Sequence, residues 1–113
     1  MASDEMLKWT RQNFFAMLER VMKRFTSKFG TVELTDERWR HITQFHPEVA
    51  RYSGRLASVL GEPELIAVSK SDSDVFIFYK SVSRFLDLAV VAKIAKPNFI
   101  LTAYLRTKTN KHG

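Results

Sequence analysis

The sequence predicts an α+β fold in which N-terminal helices pack on a four-stranded antiparallel β-sheet. Two observations support this class. Apolar residues recur with a helical period up to about residue 60, and with an extended period from residue 64 onward. The connections between the later segments are short, and short connections join antiparallel strands because a parallel crossover needs a dozen or more residues. Helices followed by a meander of strands are typical of the α+β class.

The first helix is predicted over residues 4–29. Ser3 or Asp4 can cap its start, and Gly30 is a natural stop because glycine tolerates the backbone conformation that follows a helix. The face opposite the apolar stripe is basic. It is either a solvated face or a surface that lies on a membrane or a partner. The stripe itself contains Leu7, Phe14, Met17, Leu18, Val21, Met22 and Phe25.

Two further helices are predicted before the strands. Residues 31–34 alternate and form either a short edge strand or extended chain, and Thr35 then caps the second helix. Pro47 disfavours helix at His46, so the second helix ends there, and proline suits the first turn of the third helix. The third helix ends near Leu60, before a glycine.

Four strands are predicted over residues 64–69, 75–80, 85–93 and 99–107. They are rich in β-branched and aromatic residues and are separated by polar or proline-containing turns. Strict alternation splits the fourth strand into two faces. One face carries Phe99, Leu101, Ala103 and Leu105, and the other carries Ile100, Thr102, Tyr104 and Arg106.

Length and composition predict one domain over residues 1–113, with an N-terminal helix at 1–30, a core at 31–107 and a basic tail at 108–113. A chain of 113 residues with 45% hydrophobic residues can bury a substantial core. The absence of cysteine excludes disulfides and cysteine-ligated metal sites. No apolar run is long enough to span a membrane, and the acidic start differs from a signal peptide. We therefore expect a soluble, cytoplasmic protein without membrane association.

The net charge of +6 is unevenly distributed along the chain. Residues 1–30 carry six Lys and Arg against three acids, residues 31–63 four against five, and residues 64–113 eight against four. Basic charge therefore lies in the first segment and the last half. This predicts an anionic partner, nucleic acid first, although basic charge also serves solubility alone.

The chemistry available to these residues favours acid–base catalysis without a metal or other cofactor. His41 and His46 are five apart, the wrong spacing for one helical face, and no carboxylate supports a metal site. No glycine-rich phosphate loop is present. A histidine can move a proton near neutral pH, and Lys or Arg can stabilise charge on a pentacoordinate phosphorus. Such residues suit a ribonuclease that uses the 2′-hydroxyl of its substrate as the nucleophile.

The order of motifs resembles the phage-associated barnase–EndoU–colicin–RelE-like nuclease domains over roughly residues 32–107. The motifs that carry the resemblance are WRHITQFHPE at 39–48, LGEPELI at 60–66, Ser69, FYK at 78–80, LAVVAK at 88–93 and ILTAY at 100–104. The resemblance implies a RelE/barnase-like fold and a toxin-like endoribonuclease that leaves a 2′,3′-cyclic phosphate. An inhibitor or antitoxin protein is then a further expected partner.

The resemblance also implies roles for individual residues. His46 would be the acid or base, Lys93 a phosphate clamp and Thr102 a hydroxyl that orients phosphate oxygens. Arg55 and Arg84 are substrate-binding candidates from their chemistry alone. The remaining implied substrate-binding residues are Ser69, Tyr79, Lys80 and Tyr104.

Two other functions fit the same sequence. One is a non-catalytic RNA-binding or protein-interaction module on the same fold. The other is a partner-binding domain whose first helix docks elsewhere. His46 itself is open to two interpretations, because it falls on the apolar stripe of its helix. It is either catalytic or a buried histidine that stabilises the helix end.

Overall fold

The computed structural model describes residues 20–108, which form a six-stranded mixed sheet with the strand order β1-β2-β6-β5-β4-β3. The hairpin of β1 and β2 precedes the helical segments, and the remaining strands follow them. The elements in chain order are β1 (Val21–Ser27), β2 (Gly30–Thr35), α1 (Asp36–Phe45), a 3-10 segment (Pro47–Arg55), α2 (Leu56–Gly61), β3 (Leu65–Val68), β4 (Val75–Ser81), β5 (Leu86–Lys93) and β6 (Asn98–Thr107).

The predicted fold class, a RelE/barnase-like arrangement of N-terminal helices on a four-stranded antiparallel sheet, is wrong, because the described residues form mainly a six-stranded mixed sheet with two short α-helices. Residues 21–29 form a strand and a turn of a β-hairpin instead of the end of a helix. Seven residues are too few to distinguish the helical from the extended period of apolar residues. Phe25 and Ser27, which are two residues apart, are buried, as the alternation of a strand requires. Gly30 does not stop a helix; it has φ +100° and leads the hairpin turn into β2. The rest of that predicted helix, residues 1–19, lies outside the described residues.

The sheet is also larger than predicted, and it is mixed. β2 pairs in parallel with β6 through Val32 with Asn98 and Glu33 with Phe99. This pairing adds the hairpin to the edge of the predicted meander, so the antiparallel four-stranded sheet with N-terminal helices is replaced by a six-stranded one. Among residues 20–108, only α1 and α2 are α-helices, and neither is long and apolar enough to cross a membrane.

The four predicted strands of the second half are present within one or two residues, as β3 to β6. They pair antiparallel in sequence order. The predicted helix start is also present, since the Thr35 hydroxyl accepts a hydrogen bond from the Arg38 amide at 3.1 Å. The predicted third helix is divided. Its first part is the 3-10 segment, in which Tyr52 has a non-helical backbone, and its second part is α2.

The helical segments pack on one side of the sheet, here called the core face. Each large aliphatic or aromatic side chain buried there contributes about 1.5–3 kcal/mol relative to an exposed one. The opposite side of β4, β5 and β6 is half-exposed and is here called the polar face. The fully buried side chains of the core include Leu34, Ile42, Val49, Leu60, Phe78, Leu88, Val90 and Ile100.

A β-bulge in β6 changes the predicted division of that strand. Val91 lies opposite Thr102 and Ala92 lies opposite Ile100, so Leu101 is an extra residue. Ile100 consequently belongs to the core, where it is 1% exposed, and does not share a face with Thr102, Tyr104 and Arg106 as predicted. Thr102, Tyr104 and Arg106 keep their shared face, which is the polar face.

Candidate functional site

Two tyrosines meet on the polar face across a small residue. Tyr79 of β4 and Tyr104 of β6 both lie opposite Ala89 of β5, which has no exposed surface. Because alanine fills little space, the two phenol groups can approach each other above it. Burial first, and then hydrogen bonding to the Tyr79 phenol, raise the pKa of Tyr104. Tyr104 therefore keeps its proton at neutral pH and can act as a donor.

Arg106 lies next to the tyrosine pair. The central carbon of its guanidinium is 3.8 Å from the centre of the Tyr79 ring, which is a close cation–π contact. Its Nη2 donates a hydrogen bond to Asp87 Oδ2 at 3.2 Å, directly across the strand pair. Its Nε is buried and has no hydrogen-bond partner among residues 20–108. The guanidinium is therefore held in place between the Tyr79 ring and the Asp87 carboxylate.

His46 approaches this group from the end of α1. Its backbone amide closes the helix by donating to the Ile42 carbonyl at 2.7 Å, and Pro47 follows. The ring centre of His46 is 6.1 Å from that of Tyr104, and Nδ1 is 3.7 Å from Glu48 Oε2. The side chain is 38% exposed. It is therefore not a buried structural histidine, and its ring can exchange a proton with a bound molecule.

Thr102 and Lys93 share the polar face, but their surroundings differ. Thr102 precedes Tyr104 by two residues on the same side of β6, so it lies beside the tyrosine pair. Lys93, at the end of β5, donates a hydrogen bond from Nζ to Asp72 Oδ2 at 2.7 Å. This bond raises the pKa of Lys93 and lowers the pKa of Asp72. The Lys93 charge is thus already compensated by a carboxylate.

The other predicted substrate-binding residues lie around the two ends of β4. Ser69 lies in the turn before β4, with its hydroxyl 3.1 Å from that of Ser71. Lys80 lies opposite Leu88 and is 3.8 Å from a carboxylate oxygen of Glu62. Arg84 and Arg55 lie at the same end of β4 as Lys80, near Ser81. The structure therefore gathers His46, Thr102, Tyr79 and Tyr104. Ser69 lies before β4, Lys80 is paired with the core residue Leu88, and Lys93 shares the polar face but contacts Asp72.

Sequence reasoning places Arg106 on the face of Thr102 and Tyr104 without a role in the site, and it misses Asp87 and Ala89. The signal was present in the strand parity, because Asp87 and Ala89 alternate along β5 and Arg106 follows Tyr104 by two residues. Pairing β5 with β6 in register would have placed an acid opposite the arginine and a small residue opposite the tyrosine. The alternation of residues along a strand does not show which strands are neighbours in the sheet.

A cleft of about 230 Å³ lies elsewhere, between β1 and the helical segments. None of the predicted site residues lines it, so it is separate from the group on the polar face. Its lining consists of Met22, Lys23, Phe25, Leu34, Trp39, Ser53, Gly54 and Leu56.

The group on the polar face offers one proton acceptor, several hydroxyl donors and one fixed cation. Among residues 20–108 no group of three or more histidine, aspartate or glutamate side chains is placed to hold a metal ion. The chain matches no protein-family model, no curated protein and no solved structure.

Proposed function

We propose that this protein is a metal-independent endoribonuclease that binds RNA on the polar face. The observation that supports this most directly is the convergence of His46, Tyr104, Tyr79 and Arg106 on one half-exposed surface. These side-chain types are those needed to move a proton and to stabilise charge on phosphorus. The proposed product is a 2′,3′-cyclic phosphate together with a strand that has a free 5′-hydroxyl.

In the proposed reaction the His46 imidazole takes the proton from the 2′-hydroxyl of the substrate. The 2′-oxygen then attacks phosphorus, and the bond between phosphorus and the 5′-oxygen breaks. Tyr104, which keeps its proton, donates it to the departing 5′-oxygen, and the proton on His46 restores the tyrosine through solvent. Arg106 and the Thr102 hydroxyl bind the non-bridging oxygens, on which negative charge increases in the transition state.

Lys93 has a lesser part in this proposal than its position in the motif implies. Its ammonium group can contact a phosphate only by sharing or leaving Asp72, with which it has a 2.7 Å hydrogen bond. We therefore place Lys93 at a phosphate outside the reacting one. An acidic inhibitor protein would bind the same basic surface and block it.

The two histidines of α1 provide a matched test. Purified protein is incubated with a fluorescently labelled RNA in EDTA, and the products are identified by mass spectrometry. We expect His46→Ala to lower the cleavage rate by about 10²–10⁴-fold, the usual contribution of a general base. His41→Ala is the control, because His41 is exposed and its described ring contact is with Phe45. Intact RNA with the unaltered protein, or equal losses in both variants, would contradict the proposal.

A non-catalytic RNA-binding function is the second candidate. It is favoured by the half-exposed aromatic side chains Tyr79, Phe99 and Tyr104 on one sheet face, because such faces bind single-stranded RNA by stacking. Under this function RNA binds in a salt-dependent way without cleavage, and His46→Ala leaves the affinity unchanged. Cleavage of the same RNA separates the two candidates.

A further inference from the structure

Three cationic side chains surround the connection between β4 and β5. Arg55, at the end of the 3-10 segment, donates from Nη2 to the Ser81 carbonyl at 3.4 Å. Lys108, just after β6, donates from Nζ to the Ser81 hydroxyl. Arg84 follows three residues after Ser81, and its guanidinium lies 5.9 Å from the centre of the Phe85 ring. Two distant parts of the chain thus bring positive charge to one serine. Arg55, Arg84 and Lys108 are here called the Ser81 cluster.

The charge of the Ser81 cluster is not compensated by ion pairs, unlike the charges of Arg24, Lys80, Lys93 and Arg106. Within the described part of the chain, none of the three cations forms an ion pair with a carboxylate, and two of them are held by the uncharged oxygens of Ser81. One carboxylate, that of Glu64, also reaches this serine, where it accepts a hydrogen bond from the backbone amide at 3.0 Å. Asp87, which lies opposite Ser81, is paired with Arg106, so the three cations of the cluster against Glu64 leave an excess of positive charge at this end of the sheet.

The Ser81 cluster lies beside the proposed reaction site. Ser81 follows Tyr79 by two residues on β4, so both point to the polar face and are separated by roughly 7 Å. Across the sheet Ser81 lies opposite Asp87, which in turn lies opposite Arg106. An extended RNA strand held at Arg106 therefore meets the cluster with a neighbouring phosphate. Phe85, which is 69% exposed, offers a ring on which a base can stack.

We propose that Arg55, Arg84 and Lys108 form a phosphate-binding subsite for the RNA strand, adjacent to the phosphate that is cleaved. The ligand assigned to the subsite, RNA, rests on the proposed function. Its role is to position the strand, and it takes no part in the bond-breaking step. Removing its charges therefore weakens binding and leaves the rate at saturating RNA unchanged.

The test measures how the affinity for RNA depends on salt. A fully 2′-O-methylated oligonucleotide, which lacks the attacking hydroxyl, is titrated by fluorescence anisotropy at several salt concentrations. For single strands each phosphate contact contributes about 0.7 to the slope of log affinity against log salt. We expect the double variant R55Q/K108Q to lose about 1.4 from the slope, because two contacts disappear. R84Q should lose about 0.7, and it removes no described hydrogen bond, so it also serves if the double variant does not fold.

The control removes the same charge at other places. R24Q/K96Q changes one arginine on β1 and one exposed lysine in the connection from β5 to β6. We expect this control to change the slope by less than half as much as R55Q/K108Q. Equal losses in both double variants would show general charge attraction and overturn the subsite. An unchanged slope in R55Q/K108Q and R84Q would overturn it as well.

Cleavage of ordinary RNA separates failure of the subsite from failure of the proposed function. Binding that depends on the Ser81 cluster but never leads to cleavage refutes the nuclease and supports the subsite. A raised KM with unchanged kcat in the subsite variants supports both. If an acidic protein or anionic vesicles bind through these cations while the oligonucleotide does not, the assignment to RNA is wrong.

Discussion

The two ends of the polar face both carry cations, but they hold them in different ways. At one end Lys93 donates to the Asp72 carboxylate at 2.7 Å. At the other end Arg55 and Lys108 donate to the uncharged oxygens of Ser81. An anion that approaches Lys93 competes with an existing ion pair, whereas one that approaches Ser81 meets charge that is already positioned and uncompensated. The partner of a basic side chain, more than its presence on a strand, determines whether it can bind phosphate.

The largest expected difference is between Arg106 and Lys93. Arg106→Gln removes the guanidinium that stacks on Tyr79, and we expect cleavage to fall by about 10²–10³-fold, as when a transition-state donor is lost. Lys93→Gln should reduce kcat less than threefold, because Lys93 is placed at a phosphate outside the reacting one. Both cations are ion-paired, Arg106 with Asp87 and Lys93 with Asp72, so their positions and not their pairing set this difference. Steady-state kinetics of both variants, with circular dichroism to verify folding, measure this difference. A larger loss of kcat in Lys93→Gln than in Arg106→Gln would contradict the roles proposed for the two residues.

Removing the Asp72 carboxylate should make Lys93 available to phosphate, as the cations at the Ser81 end are. Asp72→Asn leaves Lys93 without its ion-pair partner, so the lysine can contact a phosphate. We expect the salt slope for the methylated oligonucleotide to increase by about 0.7, one contact for a single strand. Asp74→Asn removes the same charge two residues away without breaking the described bond to Lys93, and it should change the slope less. Identical effects of the two variants would show that only net charge matters.

The tyrosine pair between the two ends gives a smaller, spectroscopic effect. Tyr79→Phe removes the hydrogen bond that helps to raise the pKa of Tyr104, so that pKa should decrease. Burial, the larger cause, remains, and the pKa should therefore stay above its ordinary value. Ultraviolet titration of tyrosinate measures the change, with Tyr52→Phe, on the 3-10 segment, as the control. An increase in the Tyr104 pKa would contradict the described contact.

The smallest expected effect is on stability at extreme pH. The Asp72 pKa is lowered from 3.8, so its interaction with Lys93 stabilises the fold above that pH and is lost as the pH falls through the lowered value. The Lys93 pKa is raised from 10.5, so the same interaction is lost as the pH rises through the raised value. The melting temperatures of wild-type and Asp72→Asn should differ most at pH values between the lowered pKa of Asp72 and the raised pKa of Lys93. A difference that persists unchanged at lower pH would contradict this assignment.

The second half of the fold was readable from local sequence, whereas the arrangement of the whole sheet was not. β4 and β5 are rich in β-branched, aromatic and other apolar residues and are bounded by turns, and local pattern is sufficient to place them. The parallel pairing of β2 with β6 joins segments more than sixty residues apart through only two residue pairs. No local pattern specifies such a pairing. The sequence of β1 predicts a helix wrongly because its seven residues fit both the helical and the extended period of apolar residues.

The candidate site was partly predictable for a related reason. Tyr104 and Thr102 were identified from alternation along one strand, which is a local property. The contacts that give the site its character involve other strands: Arg106 on the Tyr79 ring, and both tyrosines above Ala89. The partner of Lys93 lies in a turn 21 residues earlier, and a polar turn gives no sign of which strand end it will contact.

The bulge at Leu101 makes the core and the polar face of β6 depend on each other. The side chains of a strand alternate, so losing or gaining one residue reverses the direction of every residue beyond that point. If the same residues paired without a bulge, a strand anchored by Ile100 would turn Thr102, Tyr104 and Arg106 toward the helices. A strand anchored by those three would instead expose Ile100. A change of register that removes the bulge while Leu101 is present is therefore incompatible with keeping both surfaces, because only the extra residue lets Ile100 and Thr102 face opposite sides.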